Sequence, residues 1–201
     1  VKRIRHGCLG AALAATVLTV AGCASSPAPR LYVLTPLAEP GNPLPGDPAV
    51  GVGPVALAPH LDRPQIVRRR GNELFPAELD RWGEPLADGV ARVLAEDLAR
   101  LLASDKIWVY PWRPAVRPDF EVTVEVLRCD AGEDGDVVLA ARFAIFGGGE
   151  AVLVRRFERR EPAVAEDGGA IGPAAAVEAL SRVLAELGRE IAGALAGLVA
   201  G

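Results

Sequence analysis

Residues 119–158 constrain the fold more tightly than any other stretch of this chain. From Asp119 to Cys129 the residues alternate, with Phe120, Val122, Val124 and Val126 on one face and Glu121, Thr123 and Glu125 on the other. A period of two is the pattern of a strand with one face buried and the other at least partly wet. A polar turn from Ala131 to Asp136 follows. Two more strand-like segments, Val137–Phe146 and Glu150–Glu158, flank Gly147-Gly148-Gly149. Parallel neighbours need a crossover of a dozen or more residues, so connections this short predict an antiparallel meander.

The rest of the chain must build on that meander. Leu31–Thr35 reads as a short strand and the proline-rich stretch Pro36–Pro48 as a loop. Val50–Leu57 reads as a buried strand bent at Gly53-Pro54. After a turn over Pro59–Pro64, Gln65–Arg69 and Glu73–Phe75 flank Gly71-Asn72 as a hairpin. Pro85 suits the first turn of a helix. Beyond it Leu86, Val90, Val93, Leu94, Leu98, Leu101 and Leu102 fall at helical spacing over about five turns. Asp88, Arg92, Glu96 and Arg100 step by four along another face. Ile107–Tyr110 is a short strand stopped by Pro111. Glu161–Gly172 is a loop, and Pro173 opens a final helix with a stripe of Val177, Leu180, Leu184, Leu187, Ile191 and Leu195. A short strand after the first helix can lie parallel to an earlier one through a right-handed crossover. The predicted class is α+β (or α/β). It is a single domain with a mixed β-sheet, a C-terminal antiparallel meander and two long amphipathic helices packed on the sheet. With 50% apolar and 24% charged residues, such a domain buries enough surface to fold without metal or disulfide. The net charge of −4, with no basic stripe to offset it, disfavours nucleic acid as a partner.

The N-terminal residues read as an address. Lys2, Arg3 and Arg5 precede the uncharged run from Cys8 to Val20, which is short for a membrane span and suits the apolar region of a secretory signal. The run ends in Val20-Ala21-Gly22-Cys23, the pattern of a bacterial lipobox, with Ser25-Ser26-Pro27-Ala28-Pro29 following as a flexible tether. The alternative is a plain signal peptide that happens to hold a cysteine, but the position directly after Ala-Gly favours acylation. The expected organisation is a signal peptide over 1–22, a lipidated N-terminus and tether over 23–30, and a folded domain over 31–201. Cys23 would carry a covalent diacylglycerol and an N-acyl chain, and two or three chains anchor a protein stably. Ala24 after the cysteine favours sorting to the outer membrane. Cleavage removes Lys2, Arg3 and Arg5 and no acid, so the mature protein is more acidic. Besides Cys23 it keeps only Cys129, expected as a buried or strand-end thiol.

No catalytic set stands out. Ser25 and Ser26 lie in the tether, and Ser104 and Ser181 at a helix end and in a helix. None sits in a nucleophile elbow. After the signal, His60 is the sole imidazole, and between Pro59, Leu61 and Asp62 it reads as a loop histidine rather than a base. Asp130, Glu133, Asp134 and Asp136 could loosely hold calcium, but they lack the spacing of a calcium loop, and a solvated turn is the better reading. No metal site is expected. Arg68-Arg69-Arg70, Arg155-Arg156 and Arg159-Arg160 read as exposed strand faces.

Several segments together resemble a known family. They are the lipobox followed by Arg30-Leu31-Tyr32-Val33-Leu34, then Val52-Gly53-Pro54-Val55, Leu61-Asp62-Arg63-Pro64-Gln65-Ile66-Val67, Asp80-Arg81-Trp82-Gly83-Glu84-Pro85-Leu86, Val93-Leu94-Ala95-Glu96-Asp97-Leu98 and Tyr110-Pro111-Trp112. The ordered set resembles the ABC-type transport auxiliary lipoproteins, which include the paraquat-inducible protein C. The resemblance implies a non-catalytic outer-membrane lipoprotein facing the periplasm. It also implies a membrane-anchored MCE-domain protein and its transporter as partners, in moving lipids between two membranes. A homo-oligomeric ring is a further expectation, since one small domain cannot enclose a conduit. The competing readings are a lipoprotein esterase and a chaperone-like assembly lipoprotein. Only Cys23 takes a family role directly. Asp62, Arg63, Arg81, Trp82 and Trp112 are candidate partner contacts, Arg81 and Trp82 as a side-chain lid ahead of the helix, because contact surfaces are enriched in Trp, Tyr and Arg.

Overall fold

A computed structural model describes residues 27–163 and 172–201. The signal segment, Cys23, the start of the tether and most of the loop expected over 161–172 lie outside the described residues.

The alternating run forms β6 (Phe120–Gly132), which continues three residues past Cys129, where its pattern ends. It pairs antiparallel with β7 (Asp136–Gly147) along its whole length, from Phe120 opposite Gly147 to Ala131 opposite Val137. β7 pairs in turn with β8 (Glu150–Pro162), completing the meander. The other edge of β6 is divided between two strands. β2 (Val50–Leu57) runs parallel to its first half, and β3 (Gln65–Arg70) takes over at Ala131 and Gly132. β5 (Ile107–Val109) joins β2 in parallel, as the crossover argument requires. β4 (Glu73–Trp82) closes the hairpin on β3, and β1 (Arg30–Tyr32) lies parallel to β4 at Asp80–Trp82. The order is β1-β4-β3-β6-β2-β5, with β7 and β8 on the opposite side of β6. The result is a curled mixed sheet of eight strands.

Both helices, α1 (Leu86–Leu101) and α2 (Pro173–Ala200), pack on one face of this sheet. The core is the set that the two periodicities select: Val50, Val52, Val122, Val124, Val126, Leu139, Phe143 and Ile145 from strands, and Val90, Leu94, Leu98, Leu184, Leu187 and Ile191 from helices. No helix among the described residues is long and apolar enough to cross a membrane. β8 is fastened to α2 by Arg155–Glu190, Arg159–Glu186 and Glu161–Arg182 ion pairs. Arg155 and Arg159 are exposed, as expected of this strand face, and their guanidiniums also reach the helix. Cys129 is buried on β6, and burial pushes its thiol up to about 12.

Two local features carry consequences. The bend at Gly53-Pro54 is where the β2–β6 register shifts, between Val52 and Val55. Gly53 has φ +112°, and a Cβ there would stand 2.9 Å from the Cβ of Tyr110, so glycine is required twice over. The stretch after Tyr32 is the second feature. It is not a free loop but a strap laid across α1. Leu34 and Ala38 are buried, and the Ala38 N–H donates to Asp97 Oδ1 at 2.8 Å. Arg92 and Arg100 donate to the Leu34 and Pro36 carbonyls, Ser181 of α2 accepts from the Thr35 N–H, and the Gly41 N–H donates to the Arg100 carbonyl. A Cβ on Gly41 would lie 2.1 Å from the Leu101 carbonyl oxygen. An extended segment without strand partners has to satisfy its backbone elsewhere, and here helix side chains do so.

Asp97 is fully buried beneath this strap. Desolvation raises its carboxyl above the ordinary range, while the Ala38 amide, the Leu37 amide and Arg100 pull it down and Glu96 adds to the rise. The native state thus holds the proton more tightly than the unfolded chain does. The ionised group costs stability, a cost absent below about pH 4 and growing as pH rises through the native value. Urea unfolding of the parent and of Asp97→Asn across this window should show the parent losing stability relative to the variant as pH rises. Parallel curves would contradict the assignment.

Candidate functional site

The loop from β2 to β3 and the junction from β4 to α1 meet across an open groove of about 400 Å³. Asp62, Arg63 and Pro64 form one wall, and Trp82, Gly83, Glu84, Pro85 and Leu86 form the other. Pro64 fixes its own φ and restricts Arg63, so the first wall is a stiff turn. The walls are joined by backbone: the Trp82 N–H donates to the Pro64 carbonyl at 2.7 Å, and the Gly83 N–H donates to the Tyr32 carbonyl at 2.7 Å. Trp82 is 8% exposed, and Leu61 lies buried nearby in the first turn. Asp62 and Arg63 are exposed.

The acid at the groove's mouth is held from behind. Glu84 accepts from Arg92 at 2.6 Å, and Arg92 also reaches Glu96 and the Leu34 carbonyl. One guanidinium thereby ties the groove, the helix and the strap together. Gly89, one turn into α1, leaves the room this needs, since a Cβ there would come within 3.1 Å of Glu84 Oε1. Below the groove Asp80, 8% exposed, accepts from Arg30 at 2.7 Å and from the Tyr32 hydroxyl at 3.2 Å, which fastens β1 to β4. Burial first, then the Asp80 charge, raises the Tyr32 phenol above its ordinary range.

Three of the five expected contact residues, Asp62, Arg63 and Trp82, therefore converge on one groove. Arg81 does not join them. Arg81 and Trp82 are the last two residues of β4, not a lid ahead of the helix, and neighbours in a strand point to opposite faces. The Arg81 side chain turns back to the Glu78 carbonyl at 3.3 Å. Trp112 belongs to a different surface, on the sheet face away from the helices. Its ring covers Gly51, where a Cβ would stand 2.7 Å from the indole, and it meets Tyr110 edge-on at 5.4 Å. An open depression of about 430 Å³ beside it is lined by Arg117, Pro118, Glu121 and Phe146 among others.

Other candidates change character. Asp130 is not part of a solvated turn: it is buried on β6 between Arg69 and Arg128, at 3.0 and 2.9 Å. Arg69 is accordingly half-buried rather than exposed. Glu133 pairs with Arg70, which holds its carboxyl below the ordinary range, and Asp134 and Asp136 pair with Arg160. Among the described residues no group of three or more His, Cys, Asp or Glu is placed to hold a metal ion. His60 is half-buried in the β2–β3 loop with Nε2 unpartnered, while Ser104 donates to Asp47 and Ser181 to the Val177 carbonyl. Neither hydroxyl is paired with the imidazole. The Glu84–Arg92 clamp had one signal in the sequence, the four-residue ladder containing Arg92. Its partner eight residues upstream is too far along the chain for helical spacing to suggest.

Comparison with known proteins gives the following. A model of the family described as ABC-type transport auxiliary lipoprotein component matches residues 32–192. A Xanthomonas campestris protein of the DUF330 family is similar in structure, with a TM-score of 0.68 at 17% identity over 82% of this chain and 93% of that one. A crystal structure of an uncharacterized protein matches with a TM-score of 0.67 at 18% identity, covering 84% and 99%. At these identities the likeness is one of fold. No curated protein matches the chain in sequence.

The groove's residues separate by burial. Trp82→Ala should destabilise the protein by about 3–5 kcal/mol, whereas Asp62→Ala and Arg63→Ala should stay within about 0.5 kcal/mol. Chemical denaturation checks both. Equal losses at all three positions would make the exposed pair structural and remove them as contacts.

Proposed function

The chain belongs to the ABC-type transport auxiliary lipoprotein family, and from that premise we propose that it is a non-catalytic docking module on the periplasmic face of the outer membrane. In this reading residues 1–22 are removed, Cys23 carries the lipid and residues 23–30 act as the tether. The domain over 31–201 receives the far end of a lipid conduit built by an MCE-domain protein and driven by an ABC transporter. Several copies arranged as a ring would enclose what one small domain cannot.

The observation that supports docking is the convergence of two motif segments, 61–67 and 80–86, on one groove beside β1. The groove offers a rigid turn, an exposed Asp–Arg pair, a clamped glutamate and the edge of a buried indole. That is a surface of fixed shape with charges at its rim, suited to protein recognition. It is also close to the anchor. Cys23 is seven residues from Arg30, so the lipid lies within about 25 Å of β1 even with the chain fully extended.

A photo-crosslinking residue at position 63, in cells carrying the full transport system, should capture the MCE-domain protein. The same residue at position 142, on the sheet face away from the helices, should not. Equal capture at both positions, or capture at neither, contradicts the groove as the docking surface. Membrane fractionation should place the mature protein with the outer membrane, and recovery with the inner membrane would contradict that part of the reading.

A further inference from the structure

The segment between the proposed anchor and β2 turns apolar side chains toward water. From Leu31 to Ala38 burial alternates. Tyr32, Leu34, Pro36 and Ala38 are buried or half-buried, and Leu31, Val33, Thr35 and Leu37 are exposed. The backbone makes no bend or turn between residues 33 and 44, so the exposed four lie in a row along extended chain. Packing on the core and hydrogen bonds to the helices account for the inward set. Among the described residues nothing covers the outward one. A face turned to water normally reads polar, yet Leu31 is 65% exposed, Val33 52% and Leu37 40%. Val154 on β8 is as exposed, at 59%, but it shares its face with Arg156, Glu158 and Arg160.

Charge and reach both point this row at a bilayer. Between Cys23 and Ala38 the chain holds no acidic residue and a single basic one, Arg30, although charged residues make up 24% of the sequence. The nearby acids Glu84 and Glu96 are engaged by Arg92, and Arg100 is exposed where it donates to the Pro36 carbonyl. Anionic headgroups therefore meet little repulsion here. Cys23 stands eight residues before Leu31, which is at most about 29 Å of extended chain. A folded domain of this length is about 40 Å across. A lipid on Cys23 thus keeps the β1 side of the domain near the membrane and the opposite side away from it.

We propose that Leu31, Val33 and Leu37 seat the domain on the same bilayer that holds its anchor, their side chains entering the boundary between headgroups and acyl chains and Arg30 lying among the phosphates. This inference rests on the proposed acylation of Cys23. Apolar side chains gain from leaving water in proportion to the area buried. A covalent anchor makes that contact intramolecular, so a small patch suffices where a free protein would need a large one. A protein partner could use the same side chains, but it would need neither their place on the tethered side nor a stretch free of acids. Seating also bears on the groove. Gly83 lines the groove and adjoins the row, since a Cβ there would stand 3.1 Å from Val33 Cγ1 and 3.8 Å from Leu31 Cβ. The seated domain therefore holds the groove beside the headgroups, where a lipid conduit has to end.

The test uses the full-length acylated protein in vesicles of phosphatidylethanolamine and phosphatidylglycerol that contain a phospholipid with a diazirine in its acyl chain. After illumination, mass spectrometry maps the labelled residues. Leu31, Val33 and Leu37 should take up lipid at least roughly tenfold more than Val154 does. In Leu31→Ser/Val33→Ser, labelling at Leu37 should fall to the level of Val154 while the protein still floats with the vesicles. Both replaced side chains are exposed, so that variant should fold. Labelling at Leu37 no stronger than at Val154 in the parent, or unchanged in the variant, would overturn the proposal and leave the anchor standing. So would labelling at Leu37 that falls as more protein is loaded per vesicle, which assigns the row to a second copy. A parent that does not float removes the anchor itself, and this inference with it.

Discussion

Everything in this domain is arranged around one strand. β6 carries β7 along one edge and divides its other edge between β2 and β3, so the sheet splits into two branches that share a spine. Its inward residues Val122, Val124 and Val126 are almost wholly buried under the helices. The register shift between Val126 and Arg128 then lets Cys129 and Ala131 continue the core while Asp130 meets two arginines. The branch that starts with β2 ends at the aromatic edge of β5. The branch that starts with β3 ends at β1, where the N-terminal segment enters. The division of β6 is therefore what separates the candidate docking groove from the exposed aromatic residues of β5.

The second organising element is the strap. It connects β1 to β2 across the helices, and it is held by groups that a helix normally points into water: Arg92, Asp97 and Arg100 on α1, with Ser181 on α2. Arg92 serves both the strap and Glu84, so the groove is not an isolated surface feature. Any pull from an N-terminal anchor would reach β1 first, where Arg30–Asp80 and Tyr32–Asp80 hold a strand of three residues, and would then reach the strap.

Much of this could be read from periodicity alone. Phe120, Val122, Val124 and Val126 marked β6, the Gly147-Gly148-Gly149 turn marked the meander, and the stripes beginning at Leu86 and Val177 marked both helices. Gly53-Pro54 marked the bend, and the motif segments put Asp62, Arg63, Arg81, Trp82 and Trp112 in one set, of which Asp62, Arg63 and Trp82 line one groove. The parts that periodicity missed depend on long-range pairing. The Pro36–Pro48 stretch looks like a loop because its partners are helix side chains some sixty residues away, such as Asp97 for Ala38. Asp130 looks like part of an acidic turn because Arg69, which buries it, lies on another strand. The strand role of Arg81 and Trp82 is hidden because β4 contains Pro76 and continues past it, pairing with β1 only at its end.

On the proposed function, this fold is joined to a lipid through the thiol of Cys23. The most direct test is the intact mass of the protein extracted from membranes, with fragmentation of its N-terminal peptide. The account predicts a chain beginning at Cys23 and carrying one diacylglycerol and one amide-linked acyl chain. A chain that keeps residues 1–22, or one that begins elsewhere with Cys23 unmodified, would contradict it.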